Sequence, residues 1–269
     1  MGKTFIRIVD KIMNYSKKFL IIIYLLFGSI NYAQSSQITI ATAANVQFAM
    51  NELKDEFKKE TGINTVVIIG SSGQITAQIK QGAPYDVFIS ADMKYPLNLF
   101  KNKFAVDSPK IYALGSLVIW TRNKSIKLEN NLSELSRDKI KKIASANPKT
   151  APYGEATIEA LKYFDIYNNI KNKLVFGESI ASTNQFIISG AADIGFTAKS
   201  VVMSPSMKVE GIWKEVNQNA YKPIKQGCVI LKYGFTNHKS ESEKFYNFLF
   251  SDKAKNILLK YGYQVSEDK

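Results

Sequence analysis

The sequence predicts an α/β protein of two lobes, each a mixed, mostly parallel sheet covered by helices, with a cleft between them. Three observations carry that expectation. Short β-branched runs alternate with amphipathic helical stretches from Gln37 onward, the pattern of strands joined by helical crossovers. The alternation comes in two blocks, one ending with a helix opened by Pro96 and the other spanning 117–221, followed by one more strand and two helices. Several strands empty through Ser-, Gly- or Pro-containing loops straight into a helix start.

Residues 1–33 read as an export signal rather than as part of the fold. Lys3, Arg7, Lys11, Lys17 and Lys18 precede an apolar run at 19–27, and Gly28, Ser29 and Ala33 offer a cleavage point, so the mature chain is expected to start near Gln34. The run is short for a membrane span. An uncleaved N-terminal anchor is the alternative, because Asn31 stands where cleavage favours a small residue. No Cys follows the run, so no lipid attachment site is expected, and a periplasmic or secreted location is.

In the first block, 38–41 is a strand and Met50, Leu53 and Phe57 form one face of a helix stopped by Gly62. The stretch TVVIIGSSGQITAQIKQ (65–81) is strand, tight turn and helix, with Ile75 and Ile79 at helical spacing and Gly82 closing it. A Ser-rich turn at a helix start aims amides and hydroxyls outward with the positive end of the dipole behind them, which suits an anion; the same residues also read as a plain Ser N-cap followed by Gln74. Residues 86–90 are a buried strand.

In the second block, 117–120 and 143–145 are strands, and a loop at 147–154 empties into a helix carrying Ile158, Leu161 and Phe164. Strand 173–176 leads to a helix from about Thr183 that stops at Gly190, and strands 193–196 and 209–213 complete the sheet. A return strand at 228–231 follows Pro223. The last helices are one opened by a Ser240–Glu243 capping box, with Phe245, Phe248 and Leu249 as its apolar face, and one at 254–259.

The chain carries 36 basic and 23 acidic residues, net +13. Without residues 1–33, which hold five Lys/Arg and Asp10, 31 basic and 22 acidic residues remain, formally +9. The lysines are scattered along helical stretches with no Arg cluster and no aromatic interleaving, so they read as solvated faces and nucleic acid is not an expected partner. The single cysteine, Cys228, excludes an internal disulfide, and the fold must rest on an apolar core. With one Cys and one His no spacing resembles a resident metal site. His238 sits in a polar turn, which argues against a Ser-His-acid triad. Asp86 and Asp92 read as turn and cap residues rather than a catalytic carboxylate pair.

Six segments then bear on function: ATAANV (41–46), GSSGQITAQI (70–79), GAPYDVFISAD (82–92), ALGSLVIW (113–120), ANPKTAPYGEA (146–156) and SGAADIGFTAKS (189–200). In that order and spacing the chain resembles the periplasmic molybdate-binding proteins of bacterial ABC transporters, over essentially the whole mature length. The resemblance implies a type II periplasmic binding protein: lobe 1 from 34–116 and 228–269, lobe 2 from 117–227, crossings near Ser116 and near Gln226 and Gly227, and the ligand in the interlobe cleft.

Carried over residue by residue, it puts the ligand among Ala44, Asn45, Ser71 and Ser72 of the first lobe and Tyr153 and Ile180 of the second. Ser72 would give hydroxyl and amide; Tyr153 and Ile180 would give amides. Asn45 and the FTAKS segment look like the branch of the family with Asn at this position. Relatives in that branch commonly have Thr where Ala44 stands, and Ala198 replaces a binding Tyr of the other branch. Molybdate and tungstate are fully deprotonated dianions near neutral pH, so donors alone can satisfy them, whereas monohydrogen phosphate needs an acceptor. The expectation is a non-enzymatic receptor for molybdate and tungstate, monomeric and without a cofactor, that delivers to an ABC membrane permease. The alternatives are a receptor for another oxyanion such as sulfate, and a hydrolase using Ser72, for which no base is in sight.

Overall fold

A computed structural model of the protein describes residues 36–207 and 210–265, together with Gly2 and Met13. Apart from those two residues the predicted export signal and its cleavage point lie outside the described residues, as does Val209.

Strand β1 (Gln37–Ala43) leads through a 3-10 turn (Ala44–Val46) into α1 (Gln47–Thr61), which Gly62 ends in the left-handed region at φ 72°. Then come β2 (Asn64–Gly70), α2 (Ser72–Lys80), β3 (Val87–Ile89), α3 (Lys94–Lys101) and β4 (Lys110–Gly115). The second half holds β5 (Leu117–Thr121), β6 (Ile143–Ala146), α4 (Pro152–Tyr163), α5 (Tyr167–Ile170), β7 (Leu174–Gly177), α6 (Ile180–Ile188), β8 (Ile194–Ala198), α7 (Lys199–Val202) and β9 (Ile212–Glu215). Strand β10 (Ile224–Ile230) returns, and α8 (Lys232–Asn237), α9 (Lys239–Leu249) and α10 (Asp252–Lys260) close the chain.

Two five-stranded sheets result, ordered β2-β1-β3-β10-β4 and β7-β6-β8-β5-β9. The helix-linked pairs β1–β2, β1–β3, β6–β7 and β6–β8 are parallel, whereas β10 and β5 run antiparallel to their neighbours. Each sheet is therefore mixed, as expected, and both lie within one compact unit, Ser36–Lys269. Alternate residues of β1 serve opposite faces: Ile38 and Ile40 pack with α1, α9 and α10, and Ala41 packs with Ile75 and Leu99 of α2 and α3. Phe57 meets Phe245 edge to face at 5.1 Å, tying α1 to α9.

Several expectations need correction. The first crossing does fall at Ser116, between β4 of one sheet and β5 of the other, but other features differ. The return strand opens at Ile224, four residues before the sequence pattern places it, so Gln226 and Gly227 lie inside a strand of the first sheet rather than at a crossing. Helix α6 starts at Ile180, because Ser179 and Ser182 cap its first turn reciprocally. On α4 Leu161 is buried and Phe164 packs beside it as expected, but Ile158 is only half-buried, and Tyr153, Ala156, Thr157 and Ala160 share the inner face. His238, not Ser240, precedes α9, and no side chain caps it. His238 Nδ1 instead lies 2.8 Å from Oδ1 of buried Asp86, whose Oδ2 takes the Thr39 amide at 2.6 Å. Asp92 lies in the turn before α3, one residue outside its N-cap Met93, and accepts from Tyr95 N–H at 3.2 Å.

Candidate functional site

The turn between β2 and α2 is built by its own side chains. Ser71 and Gln74 form a capping box: Ser71 Oγ accepts from the Gln74 amide at 3.3 Å, and Gln74 Oε1 accepts from the Ser71 amide at 3.2 Å and its hydroxyl at 2.9 Å. Both donors of Ser71 are thus committed to the cap. Ser72 differs. Its buried Oγ accepts from the Ala91 amide at 3.0 Å, so the hydroxyl proton has no acceptor among the described residues. Plain capping therefore falls to Ser71, and Ser72 keeps a hydroxyl proton to donate.

Asn45, Ser72, Tyr153 and Ile180 share one property. Each is buried in the first turn of a helical segment, where a backbone amide lacks an acceptor one turn back, and among the described residues nothing else takes these four amides. Pro152 at the first position of α4 has no N–H of its own, leaving that of Tyr153 as the first donor. Ala44, Tyr153 and Ile180 pack in one apolar cluster with Ala91, the residue bonded to Ser72. Ala44 brings no hydroxyl. The six predicted residues thus converge from both sheets, but Ser71 faces Gln74.

The halves touch across the cleft. Gly73 N–H donates to Thr150 O at 2.9 Å, Tyr95 OH to Lys149 O at 3.2 Å, and Gln74 Nε2 to Glu178 Oε2 at 3.0 Å. Lys94 and Glu155 pair at 2.6 Å, a half-exposed ion pair of small net value. Behind the amides lies a polar network that sequence reasoning missed. Asn45 Nδ2 donates to Gln226 Oε1 at 2.9 Å and to Tyr263 OH at 3.0 Å; Ser200 Oγ and Tyr263 OH donate to Asn45 O at 2.6 and 3.0 Å. With its side-chain N–H groups so engaged, Asn45 has its backbone amide left to offer. Burial holds the phenols of Tyr112, Tyr153 and Tyr263 above the usual tyrosine range, so all three remain neutral.

No basic side chain belongs to this cluster. A separate cavity of about 240 Å³ is lined by Asp92, Glu155, Glu159, Lys222 and Lys225 among others. Its carboxylates make it a poor host for a dianion.

Residues 38–264 match the family described as bacterial extracellular solute-binding protein. Over 232 residues the chain is 34% identical to the molybdate-binding protein ModA of Azotobacter vinelandii, covering 86% of this chain and 91% of that one. Over 232 residues it is 36% identical to ModA of Rhodobacter capsulatus, covering 86% and 89%. The chain belongs to the ModA family of bacterial extracellular solute-binding proteins. The solved structure of the Azotobacter vinelandii periplasmic molybdate-binding protein superposes with a TM-score of 0.80 at 33% identity, covering 86% of this chain and all of that one. The two-sheet architecture is therefore the ModA fold. A sulfate-binding protein of Mycobacterium tuberculosis, 14% identical with a TM-score of 0.73, shares the fold alone. Membership in this family of solute-binding proteins makes the chain a binding protein. Among the described residues no helix is long and apolar enough to cross a membrane.

Proposed function

We propose that this protein captures molybdate, with tungstate as a second ligand, in the cleft between its sheets and delivers it to the membrane permease of an ABC importer. The observation that carries the reading is the donor set: four buried, unpaired amides and the free proton of Ser72, drawn from both halves, with no carboxylate among them. A fully deprotonated tetrahedral dianion can accept from every such donor, and neutral dipoles stabilise its charge without an ion pair. The relatives named as molybdate-binding proteins support this choice of anion. Ser72 contributes hydroxyl and amide, and Asn45, Tyr153 and Ile180 contribute amides. Asn45 fits the Asn-type branch of the family. The receptor acts as a monomer in the periplasm after cleavage near Ala33, with no resident cofactor and no nucleic-acid partner.

Calorimetry of the mature chain against molybdate, tungstate, sulfate and phosphate tests the reading. The first two should bind and phosphate more weakly, since the donor set holds no carboxylate to accept its remaining proton. Saturable heat with sulfate and none with molybdate would replace molybdate as the ligand.

A further inference from the structure

We propose that Gln226 is a positioning residue for anion capture, holding the Asn45 loop of the first half and the Tyr153 helix start of the second in one fixed relation. The proposal rests on the oxyanion reading above and names the part of the molecule that aims its donors.

Gln226 is completely buried in β10, whose other buried residues are Ile224, Gly227, Cys228, Val229 and Ile230. Between Gln226 and Gly227 the register against β4 slips by one residue: Gln226 faces Ala113 and Gly227 faces Ile111, leaving Tyr112 without a ladder partner. Such a bulge re-aims side chains. Here it brings Tyr112 and Gln226 together, and Tyr112 OH donates to Gln226 Oε1 at 2.7 Å. The same oxygen accepts from Asn45 Nδ2 at 2.9 Å, and Nε2 donates to Tyr153 OH at 3.3 Å. Gln226 thus contacts two of the four residues whose amides are unpaired, one in each half.

The surroundings are shaped to admit this side chain. A Cβ on Gly115, the last residue of β4, would collide with Tyr153 Oη and Gln226 Nε2 together, so the crossing strand is notched where the two meet. The partners on Asn45 complete a clamp: Ser200 and Tyr263 hold its carbonyl while Gln226 and Tyr263 hold its side chain. A residue fixed at both its side chain and its following peptide has little freedom in φ and ψ, so its own N–H points one way before the anion arrives. Pre-aimed donors bind more tightly than donors that must be ordered on binding. Simple core filling would be served as well by an apolar side chain of the same size, without the cost of burying an amide.

The test uses the mature protein with Gln226→Met and Gln226→Glu, titrated with molybdate from pH 5.5 to 8.5. Methionine keeps the volume and removes every bond, and the affinity should fall roughly tenfold at each pH. A protonated glutamic acid reproduces the amide, accepting through its carbonyl and donating to Tyr153; the ionised form adds a negative charge beside the dianion. Gln226→Glu should therefore bind nearly as the wild type at the lowest pH and lose affinity as pH rises, by up to about tenfold per pH unit, with proton uptake on binding. The profile is read against wild type at the same pH, because Asp92, pushed up to about 6 beside Ala91 and Gly227, titrates in this range in both proteins. Amide exchange in the ligand-free protein reads the clamp directly, and Asn45 should exchange faster in Gln226→Met. A merely structural glutamine predicts a lowered melting temperature with affinity within twofold of wild type, a Gln226→Glu pH profile parallel to that of wild type and unchanged exchange at Asn45; that result overturns the proposal. If wild type fails to bind molybdate, the oxyanion reading falls, while faster or unchanged Asn45 exchange still decides for or against the clamp.

Discussion

Replacing Ser72 by Ala separates a bond that the structure shows from one that the proposed function adds to the same oxygen. In the free protein Ser72 Oγ is the acceptor for the Ala91 amide at 3.0 Å, both groups being buried. Removing it leaves that N–H unpaired, which costs about 1–3 kcal/mol of stability whether or not ligand is present. In a chain of this size each kcal/mol lowers the melting temperature by about 2–4 °C. In the complex the substitution also removes the hydroxyl proton, a donor to a charged acceptor worth about 1.5–3 kcal/mol, or roughly 10- to 150-fold in affinity. Ser71→Ala is the matched control. Its hydroxyl serves the cap, so stability should fall by about 1 kcal/mol while affinity changes little. Calorimetric titration with molybdate and differential scanning calorimetry of both variants read the two quantities independently. Wild-type affinity in Ser72→Ala, or a larger affinity loss in Ser71→Ala, would refute the division of labour between the two serines.

Gly73→Ala should block closure, since its Cβ would stand 2.9 Å from both Thr150 O and Tyr95 Oη; affinity should drop and small-angle scattering should show no compaction with molybdate, while the melting temperature of the free protein holds. Tyr153→Phe keeps the amide and removes only the longest of the bonds to Gln226, so affinity should fall no more than about fivefold and stability by about 1 kcal/mol; a hundredfold loss would place the phenol on the anion. Burial pushes the Asp92 carboxyl up to about 6 against an ordinary 3.8, so ionising it costs the folded state more than the unfolded one. Asp92→Asn should match wild-type stability near pH 4, gain on it as pH rises toward 6 and hold a constant advantage above that; urea titrations with an unchanging difference across the range would refute this.

Local chemistry made most of the fold legible. Met50, Leu53 and Phe57 at helical spacing before Gly62 specify α1 with no outside information, and the runs at 65–69 and 143–145 can be nothing but strands once helices flank them. Beyond the Ser-rich turn at 70–72, the candidate site was legible only through the family's motifs, because an unpaired amide leaves no trace in residue type: the proposed roles of Tyr153 and Ile180 rest on a backbone atom that every residue but proline carries. What misled was polarity inside a strand. Gln226-Gly227 precedes the apolar run 228–231 just as a turn would, and the family resemblance puts a crossing there. Whether a buried amide is tolerated depends on groups that no local window contains: Tyr112 lies 114 residues away in sequence and Asn45 lies 181. Without those partners Gln226 would be the most costly residue of its strand; with them, one side chain bonds directly to a donor loop in each half. The feature that most resembled a chain break is thus the one that spans the cleft, and it becomes visible only when long-range pairing is known.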